Sequence, residues 1–322
     1  MRHLIAIFFI LSASSCSNDF DVVIPAKPTT FVYCVLNTPD SVHYIRINKS
    51  FITLDNVYDY VKRSDSLYYP DLNLLIELTD NNSRIVSIKP GKIIYEPKDF
   101  GLFTQNPNIL YAFKLNLKDY LNAKLRLIIP QNADTITAET AIVADTGKFL
   151  LPGKWSSTKS MSFFGGCYNL RWETGGGAFH SMSYTFHYRD ILADETISRS
   201  FEYMFQYDFG PNAEREFCLR LEDLLYTINS RIPDRPEVEV RMFDSIDFHI
   251  DTAEKFLYDY ANIFRENPSE FALINFTNIK NGSGIFSSRS SIHLTGMRLD
   301  VQALDALINS VTTKHLRFIR YE

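Results

Sequence analysis

Short β-type segments separated by turn residues fill residues 31–150 and constrain the fold more than any other feature of the sequence. The run FVYCVLN ends at the turn residues 37–40, and several similar runs follow, each bounded by Asn, Asp, Gly or Pro. In DTITAETAIV, Ile136 and Ala138 alternate with polar neighbours, as in a half-buried strand. Many short strands with few helical periods predict a β-sandwich.

A second β-rich region is predicted for residues 151–322. Gly175–Gly177 separates two strand-like runs, and we interpret it as a hairpin connection. Apolar residues at helical spacing predict a helix over 214–231, with Cys218 on its apolar face. A shorter helix is expected after Thr252, which we interpret as its N-cap, and another near residues 299–310.

Composition supports a folded chain and argues against one class of partner. Hydrophobic residues make up 45% of the 322 residues and aromatic residues 14%, which is enough to build a full core. The net charge is −5, whereas a general nucleic-acid binder needs a basic surface. No nucleic-acid partner is therefore expected.

The N-terminus is typical of an exported protein that is modified with lipid. An apolar run over residues 4–11 follows Arg2 and is too short to cross a bilayer, which takes about 20 residues. Small residues then precede Cys16, as in a bacterial lipobox. We predict a signal peptide over residues 1–15, a lipid attached to Cys16, and a polar tether over 16–30. The alternatives are a cleaved soluble secretory signal with an incidental cysteine, or an uncleaved anchor.

Three cysteines remain if Cys16 carries lipid. Cys34 lies in an apolar strand and Cys218 on a predicted helix face, so both are interpreted as small buried hydrophobic residues. A disulfide between two of Cys34, Cys167 and Cys218 is the open alternative, since the predicted compartment permits it. None of them forms a CxxC pair, which argues against a thiolate zinc site.

No assembled catalytic or metal site is predicted. Asp247, His249 and Asp251 share one face of a predicted strand, which favours a polar face turned to water over a divalent-cation site. His180 and His187 point to opposite faces of another strand, so they are not a natural ligand pair. The nucleophile and zinc-protease motifs GxSxG and HExxH are absent from the sequence. We therefore predict no catalytic residue, no metal and no cofactor.

A tyrosine-rich stretch supplies the candidate ligand-binding residues. Tyr58, Tyr60, Tyr68 and Tyr69 cluster between two predicted strands, in a loop or short helix. Aromatic residues in loops commonly serve contact surfaces, and core packing is the competing interpretation.

Several segments resemble a Bacteroidota lipoprotein family known as domain of unknown function 4249. They include FVYCVLNTPDSVHYIRINKSF, YYPDLNLLIEL and, most specifically, FTNIKNGSGIFSSR at residues 276–289. The resemblance implies an outer-membrane or surface lipoprotein of mainly β fold. It would have an immunoglobulin-like β-sandwich over 31–150 and a second β-rich domain with a few short helices over 151–322. Members often occur near TonB-dependent receptors, and the family provides no catalytic residues to transfer.

These observations together predict a lipid-anchored outer-membrane lipoprotein without enzymatic activity. It would be a binding or accessory module whose partners are the membrane, through its lipid, and a TonB-dependent outer-membrane receptor. One alternative is a surface protein that binds glycan or peptide nutrients. Another is a hydrolase with an unrecognised site. In the 276–289 segment, Gly282 and Gly284 are expected to allow positive φ in a tight turn.

Overall fold

The computed structural model describes residues 28–51, 53, 56–95, 107–130, 134–145, 147–152, 159–210, 213–266 and 276–320. This part of the chain is mainly β with a few short helices, which confirms the predicted fold class. The strands are β1 (Thr30–Asn37), β2 (Val42–Lys49), β3 (Asn73–Asp80), β4 (Ile85–Ile88), β5 (Gly91–Tyr95), β6 (Asn108–Lys114), β7 (Tyr120–Ile129), β8 (Asp134–Ala141), β9 (Gly147–Leu151), β10 (Ser160–Met161), β11 (Cys167–Thr174), β12 (Phe179–Ile191), β13 (Thr196–Phe209), β14 (Glu214–Arg220), β15 (Val240–Ala253), β16 (Ser283–Leu299) and β17 (Phe318–Ile319). The helices are α1 (Val57–Tyr60), α2 (Ser64–Leu67), α3 (Leu221–Arg231), α4 (Lys255–Glu266) and α5 (Val301–Asn309), with a 3-10 turn at Lys314–Leu316.

One long sheet runs through the molecule in the order β13-β12-β15-β16-β1-β2-β6-β5. Its β1–β2–β6–β5 end faces a four-stranded sheet of order β4-β3-β7-β8, which makes a β-sandwich. Alternate residues of β1, such as Val32 and Leu36, point into the core between these sheets. The predicted alternation in β8 is also observed, because Ile136 and Ala138 are buried in that core.

The other end of the long sheet builds a second core. Strands β12 and β15 contribute a dense aromatic layer that includes Tyr184, Phe186 and Phe248, all fully buried. A three-stranded sheet of order β14-β11-β9 and the helices α3 and α5 supply residues to the same core. The described chain thus has two apolar cores that share one sheet.

Strand β16 belongs to both halves of the molecule. Its first seven residues, 283–289, pair in parallel with β1, and the segment 289–297 then pairs antiparallel with β15. Phe286 is therefore packed in the first core, whereas Met297 is packed in the second. The first sandwich is therefore completed by a strand from the C-terminal region of the chain.

The NGSG segment at the start of β16 contains two glycines, Gly282 and Gly284, which are required for different reasons. Gly284 has φ +110°, as expected, and a Cβ there would lie 2.1 Å from the carbonyl oxygen of Val32. Gly282 does not have the expected positive φ; instead a Cβ there would lie 2.8 Å from the carbonyl oxygen of Thr30. The turn therefore requires glycine mainly because β1 approaches so closely.

Side chains around this turn fasten β16 in place. Asn278 Nδ2 donates to the carbonyl oxygen of Phe286 at 2.6 Å, and the Phe286 amide donates back to Asn278 Oδ1 at 3.0 Å. Ser288 Oγ donates to the carbonyl oxygen of Ala141 at 2.6 Å and accepts from the amide of Val143 at 3.0 Å. The polar residues of this segment thus fix the strand that joins the two cores.

The glycine triplet does not form the predicted hairpin. It connects β11, in the three-stranded sheet, to β12, in the long sheet, and these two strands do not pair with each other. A Cβ on Gly177 would lie 2.2 Å from the Thr252 side chain, and one on Gly175 would lie 2.0 Å from the carbonyl oxygen of Asp145. Close contact at a crossing between sheets therefore explains the glycines.

Two helix predictions also need correction. Residues 214–220 form strand β14 against β11, so only 221–231 are helical and Cys218 lies on a strand. Helix α4 begins at Lys255. Thr252 lies within β15 and its side chain hydrogen-bonds His180, so Thr252 is not the N-cap of α4. The expected C-terminal helix is α5, with Asp300 as its N-cap.

A disulfide fastens β11 to β14. Cys167 and Cys218 are bonded, with Cα atoms 5.4 Å apart, inside the normal range for such bridges. The interpretation of Cys218 as a buried hydrophobic residue is therefore wrong, because its side chain lies on an exposed strand position. Cys34 is the free cysteine of the described residues, and it is buried as expected.

A buried ion pair joins β12 to β15. Asp190 Oδ1 accepts from Arg241 Nε at 2.8 Å, and both side chains are only 1% exposed. Asp190 Oδ2 accepts from Arg199 of β13. Arg241 also donates to the carbonyl oxygens of Leu316 and Pro233, at 2.8 and 2.9 Å. This single guanidinium therefore ties the C-terminal turn and the segment after α3 to the long sheet.

Candidate functional site

The candidate site is the outer face of the long sheet, on the side opposite both cores. Helix α4 lies against this face: Tyr258 stacks on Phe179, with ring centroids 4.3 Å apart. Glu254 fixes the start of the helix, because its Oε2 accepts from the Phe256 amide at 2.9 Å and from Ser287 Oγ at 3.0 Å. A groove lies along each side of the helix.

The first groove, here named the aromatic groove, lies between α4 and the strands β1, β2 and β6. Its volume is about 400 Å³, and its walls are Tyr33, Cys34, Val35, Tyr44, Arg46, Leu110, Tyr260 and Ile285. Tyr33 and Tyr44 are 39% and 41% exposed. Exposed aromatic side chains next to one arginine are typical of contact surfaces.

The second groove lies on the other side of α4 and is smaller. It measures about 240 Å³ and is walled by Phe179, Met204, Ala253, Leu257, Tyr258, Ala261 and Asn262. Met204 is 52% exposed at the edge of this groove. The outer face therefore presents apolar surface on both sides of the helix.

Beyond this groove the outer face becomes polar over β12, β15 and β16, a region we name the polar strip. His249 and His293 are cross-strand partners in the register of β15 and β16, and their Nδ1 atoms are 2.6 Å apart. His249 Nε2 is 2.9 Å from Thr185 Oγ1, and His293 Nε2 is 3.2 Å from Ser291 Oγ. Both imidazoles are thus held at both nitrogens.

Asp247 and Asp251 lie on the polar strip beside His249, so the predicted shared face is confirmed. Asp247 accepts from the Gly296 amide at 2.7 Å and pairs with His187 at 3.2 Å. Within the described residues, no three potential ligands among His, Cys, Asp and Glu converge on one point. His180 lies on the opposite face, as expected, where it bonds Thr252 at 3.0 Å.

Burial sets the electrostatics of the polar strip. Partial burial, and next the neighbouring His293, lower the pKa of His249 below its usual value. Burial also raises the pKa of Asp251, although Arg289 and His249 act in the opposite direction. Both shifts disfavour the charged form of the side chain, as partial burial does in general.

The structure does not bring the four candidate tyrosines together on one surface. Tyr58 is 62% exposed on α1, and Tyr60 stacks on Phe51 with ring centroids 5.7 Å apart. Tyr68 and Tyr69 are only 5% and 6% exposed and belong to the first core. Core packing thus accounts for these two residues.

The edges of Tyr68 and Tyr69 still reach a shallow surface groove. This groove measures about 440 Å³, and the residues around it are Lys49, Ser64, Asp65, Tyr68, Tyr69, Pro70, Lys92 and Ile109. Tyr69 Oη lies 2.6 Å from Thr30 Oγ1, which holds the ring against β1. A ligand-binding role for the tyrosines stays a prediction, with Tyr58 as the exposed member.

Sequence reasoning missed Tyr33, Tyr44 and Tyr260. Tyr33 alternates with the buried residues Val32 and Cys34, and this alternation was a usable signal for an outward ring. The contribution of Tyr260 depends on how α4 packs on the sheet, for which the sequence gives no direct signal.

The predicted lipid-attachment residue, Cys16, lies outside the described residues. Burial raises the pKa of the Cys34 thiol to about 12, so that thiol is unreactive at neutral pH. Among the described residues, no helix has both the length and the apolar character needed to cross a membrane.

Comparisons with known proteins give little further information. No protein-family model matches the chain, and no curated protein matches it. One similar solved structure is the C-terminal globular domain of an oligosaccharyltransferase from Pyrococcus abyssi, with 12% sequence identity and a TM-score of 0.24. The match covers 68% of this chain and 45% of that one, so it spans less than half of that structure. A likeness this weak assigns neither an activity nor a substrate.

Proposed function

We propose that the protein is a lipid-anchored outer-membrane lipoprotein of the Bacteroidota family it resembles, and that it acts as a non-enzymatic accessory module. Its partner in this proposal is an integral outer-membrane transporter of the TonB-dependent class. The observation that carries the proposal is the disulfide between Cys167 and Cys218, together with the burial of the free Cys34. The aromatic groove supplies the contact surface.

The cysteines favour an exported protein with one modified thiol. A bridge between Cys167 and Cys218 is stable in oxidising compartments and rare in the cytosol. Cys34 is 2% exposed and unreactive. The fourth cysteine of the sequence, Cys16, follows a short apolar run and four small residues. Lipid attachment gives this residue a chemical purpose.

The aromatic groove lies close to the point where the predicted tether enters the fold. Tyr33 follows Thr30, the first residue of β1, by three positions, which corresponds to about 10 Å along a strand. A tether anchored at Cys16 would therefore hold this face near the membrane. A partner embedded in the same membrane is the occupant that this placement favours.

Replacing Cys16 by Ala is expected to abolish incorporation of a radiolabelled fatty acid in growing cells. The reason is that the thiol is the proposed point of acylation. The matched control is Cys34→Ala, which removes a buried thiol and should leave labelling unchanged. Equal label on the Cys16→Ala and wild-type proteins would refute the lipid anchor.

Replacing Tyr33 and Tyr44 together by Ala is expected to reduce recovery of a membrane partner by about tenfold or more. Aromatic anchors commonly contribute a large part of an interface's binding energy. The measurement is pull-down of the tagged protein from gently solubilised membranes. Tyr226→Ala is the matched control, because Tyr226 is 69% exposed on α3 and far from the groove. Recovery of the wild type with no membrane protein would contradict the proposal.

A second candidate function is binding of glycan or peptide nutrients at the cell surface. The observation that favours it is the shallow groove where Tyr68 and Tyr69 meet Lys49 and Lys92. Retention of the protein on immobilised peptides or glycans separates the two functions when Lys92→Ala, an exposed member of this groove, is included. Under this second function the substitutions at Tyr33 and Tyr44 would leave ligand retention unchanged, whereas Lys92→Ala would weaken it.

A further inference from the structure

The polar strip contains a pair of imidazoles whose arrangement is independent of the proposed accessory role. His249 and His293 stand directly opposite each other on adjacent strands, with their Nδ1 atoms 2.6 Å apart. Two bare nitrogen lone pairs would repel at this distance, so one Nδ1 carries a hydrogen and donates it to the lone pair of the other.

The outer nitrogens of both rings are held as they are in many metal sites. His249 Nε2 contacts the Thr185 hydroxyl at 2.9 Å, and His293 Nε2 contacts the Ser291 hydroxyl at 3.2 Å. A histidine that binds a metal through one nitrogen normally donates the other N–H to a neighbouring oxygen, which fixes the tautomer and the ring direction. When both Nε2–H groups donate to these hydroxyls, both Nδ1 lone pairs face the same point.

We propose that His249 and His293 bind a divalent late transition-metal ion, such as Zn²⁺, Ni²⁺ or Cu²⁺, through their Nδ1 atoms. Metal–nitrogen bonds of about 2.0–2.1 Å in tetrahedral geometry place the two nitrogens about 3.3 Å apart. The pair must therefore open by about 0.7 Å, the difference between that separation and the observed 2.6 Å. His293 is solvent-exposed and can make this adjustment.

Charges around the pair favour a cation. Asp247 and Asp251 lie two positions from His249 on the same strand face. The carboxyl group of Glu202, on β13, also interacts electrostatically with His249. The cationic side chain beside this cluster is Arg289, next to Asp251, and the imidazole of His187 pairs with Asp247.

The structure also limits the expected strength and selectivity. No third described side chain converges on the pair, so water must complete the coordination and the ion should exchange readily. Imidazole ligands prefer late transition metals, with Cu²⁺ bound more tightly than Ni²⁺ or Zn²⁺ and Mn²⁺ bound weakly. A metal binds the unprotonated imidazole nitrogen, so acidification should weaken binding.

The test is calorimetric titration of the full chain in detergent, with an affinity tag that lacks histidine, using Zn²⁺, Ni²⁺, Cu²⁺ and Mn²⁺ separately. We expect one ion per chain, with His293→Ala weakening binding by about tenfold or more, and Thr185→Val by about tenfold through loss of orientation. His315→Ala is the matched control, since His315 is an exposed histidine on the distant 3-10 turn. It should bind as the wild type does.

Three results would overturn the proposal. Binding that His293→Ala leaves unchanged would place the ion elsewhere. Mn²⁺ affinity equal to that of Ni²⁺ would indicate a carboxylate site instead of an imidazole pair. Absence of saturable binding up to about 1 mM metal would exclude a specific site. Because His293 is exposed, its substitution should not prevent folding, and a circular dichroism spectrum confirms this for each variant.

Discussion

Replacing Asp190 by Ala is expected to lower the free energy of unfolding by about 3–5 kcal/mol, because it leaves a buried guanidinium without its counter-charge. Arg241 and Asp190 are both 1% exposed, so water cannot replace the lost carboxylate. The measurement is urea denaturation followed by tryptophan fluorescence or circular dichroism, with the midpoint and slope determined together.

Asp244→Ala is the matched control for this prediction. Asp244 pairs with Arg189 across the same two strands, β12 and β15, but these side chains are 35% and 29% exposed. An exposed pair contributes about 0–1 kcal/mol, so the loss should be small. Equal losses of unfolding free energy for Asp190→Ala and Asp244→Ala would show that burial does not increase the cost of removing the Asp190 carboxylate.

Replacing both Cys167 and Cys218 by Ser is expected to lower the free energy of unfolding by about 4 kcal/mol, the chain-entropy value for a loop of this size. The bridge spans a sequence separation of 51 residues, so its removal frees a long segment of the unfolded chain. The same denaturation experiment measures the loss.

A reducing agent provides the internal control for the disulfide. It should destabilise the wild-type protein and leave the double serine variant unaffected, because Cys34 is buried and makes no bridge. Mass spectrometry after alkylation of the native protein tests the bridge directly. Alkylation of Cys167 and Cys218 in protein isolated without reductant would contradict the disulfide.

Local alternation made the strands of the first sandwich predictable. Ile136 and Ala138 are buried because side chains on a strand alternate between faces, and this rule requires only neighbouring residues. The secondary structure of residues 214–231 was harder to predict, since Phe217 and Leu221 fit a helical spacing as well as a strand. Pairing with β11 decided the outcome, and such pairing is a tertiary contact that local periodicity does not contain.

The candidate site was less predictable because its parts are distant in sequence. Asp247, His249 and Asp251 were correctly placed on one face, but three residues along one strand converge poorly. His293 becomes the partner of His249 only through the pairing of β15 with β16, 44 positions later in the chain. Tyr68 was predicted as a ligand-binding residue but is buried. A tyrosine-rich loop can pack some of its rings in the core, and the sequence does not show which ones.

The parallel pairing of β1 with β16 has a mechanical consequence. A pulling force applied through the N-terminal segment enters the fold at Thr30, the first residue of β1. Because β1 is paired along residues 31–37 with β16 and also pairs with β2, that force must shear several backbone hydrogen bonds at once instead of peeling them one at a time. The load then passes along β16 into the second core, so both halves of the molecule resist extraction of the strand nearest the N-terminus.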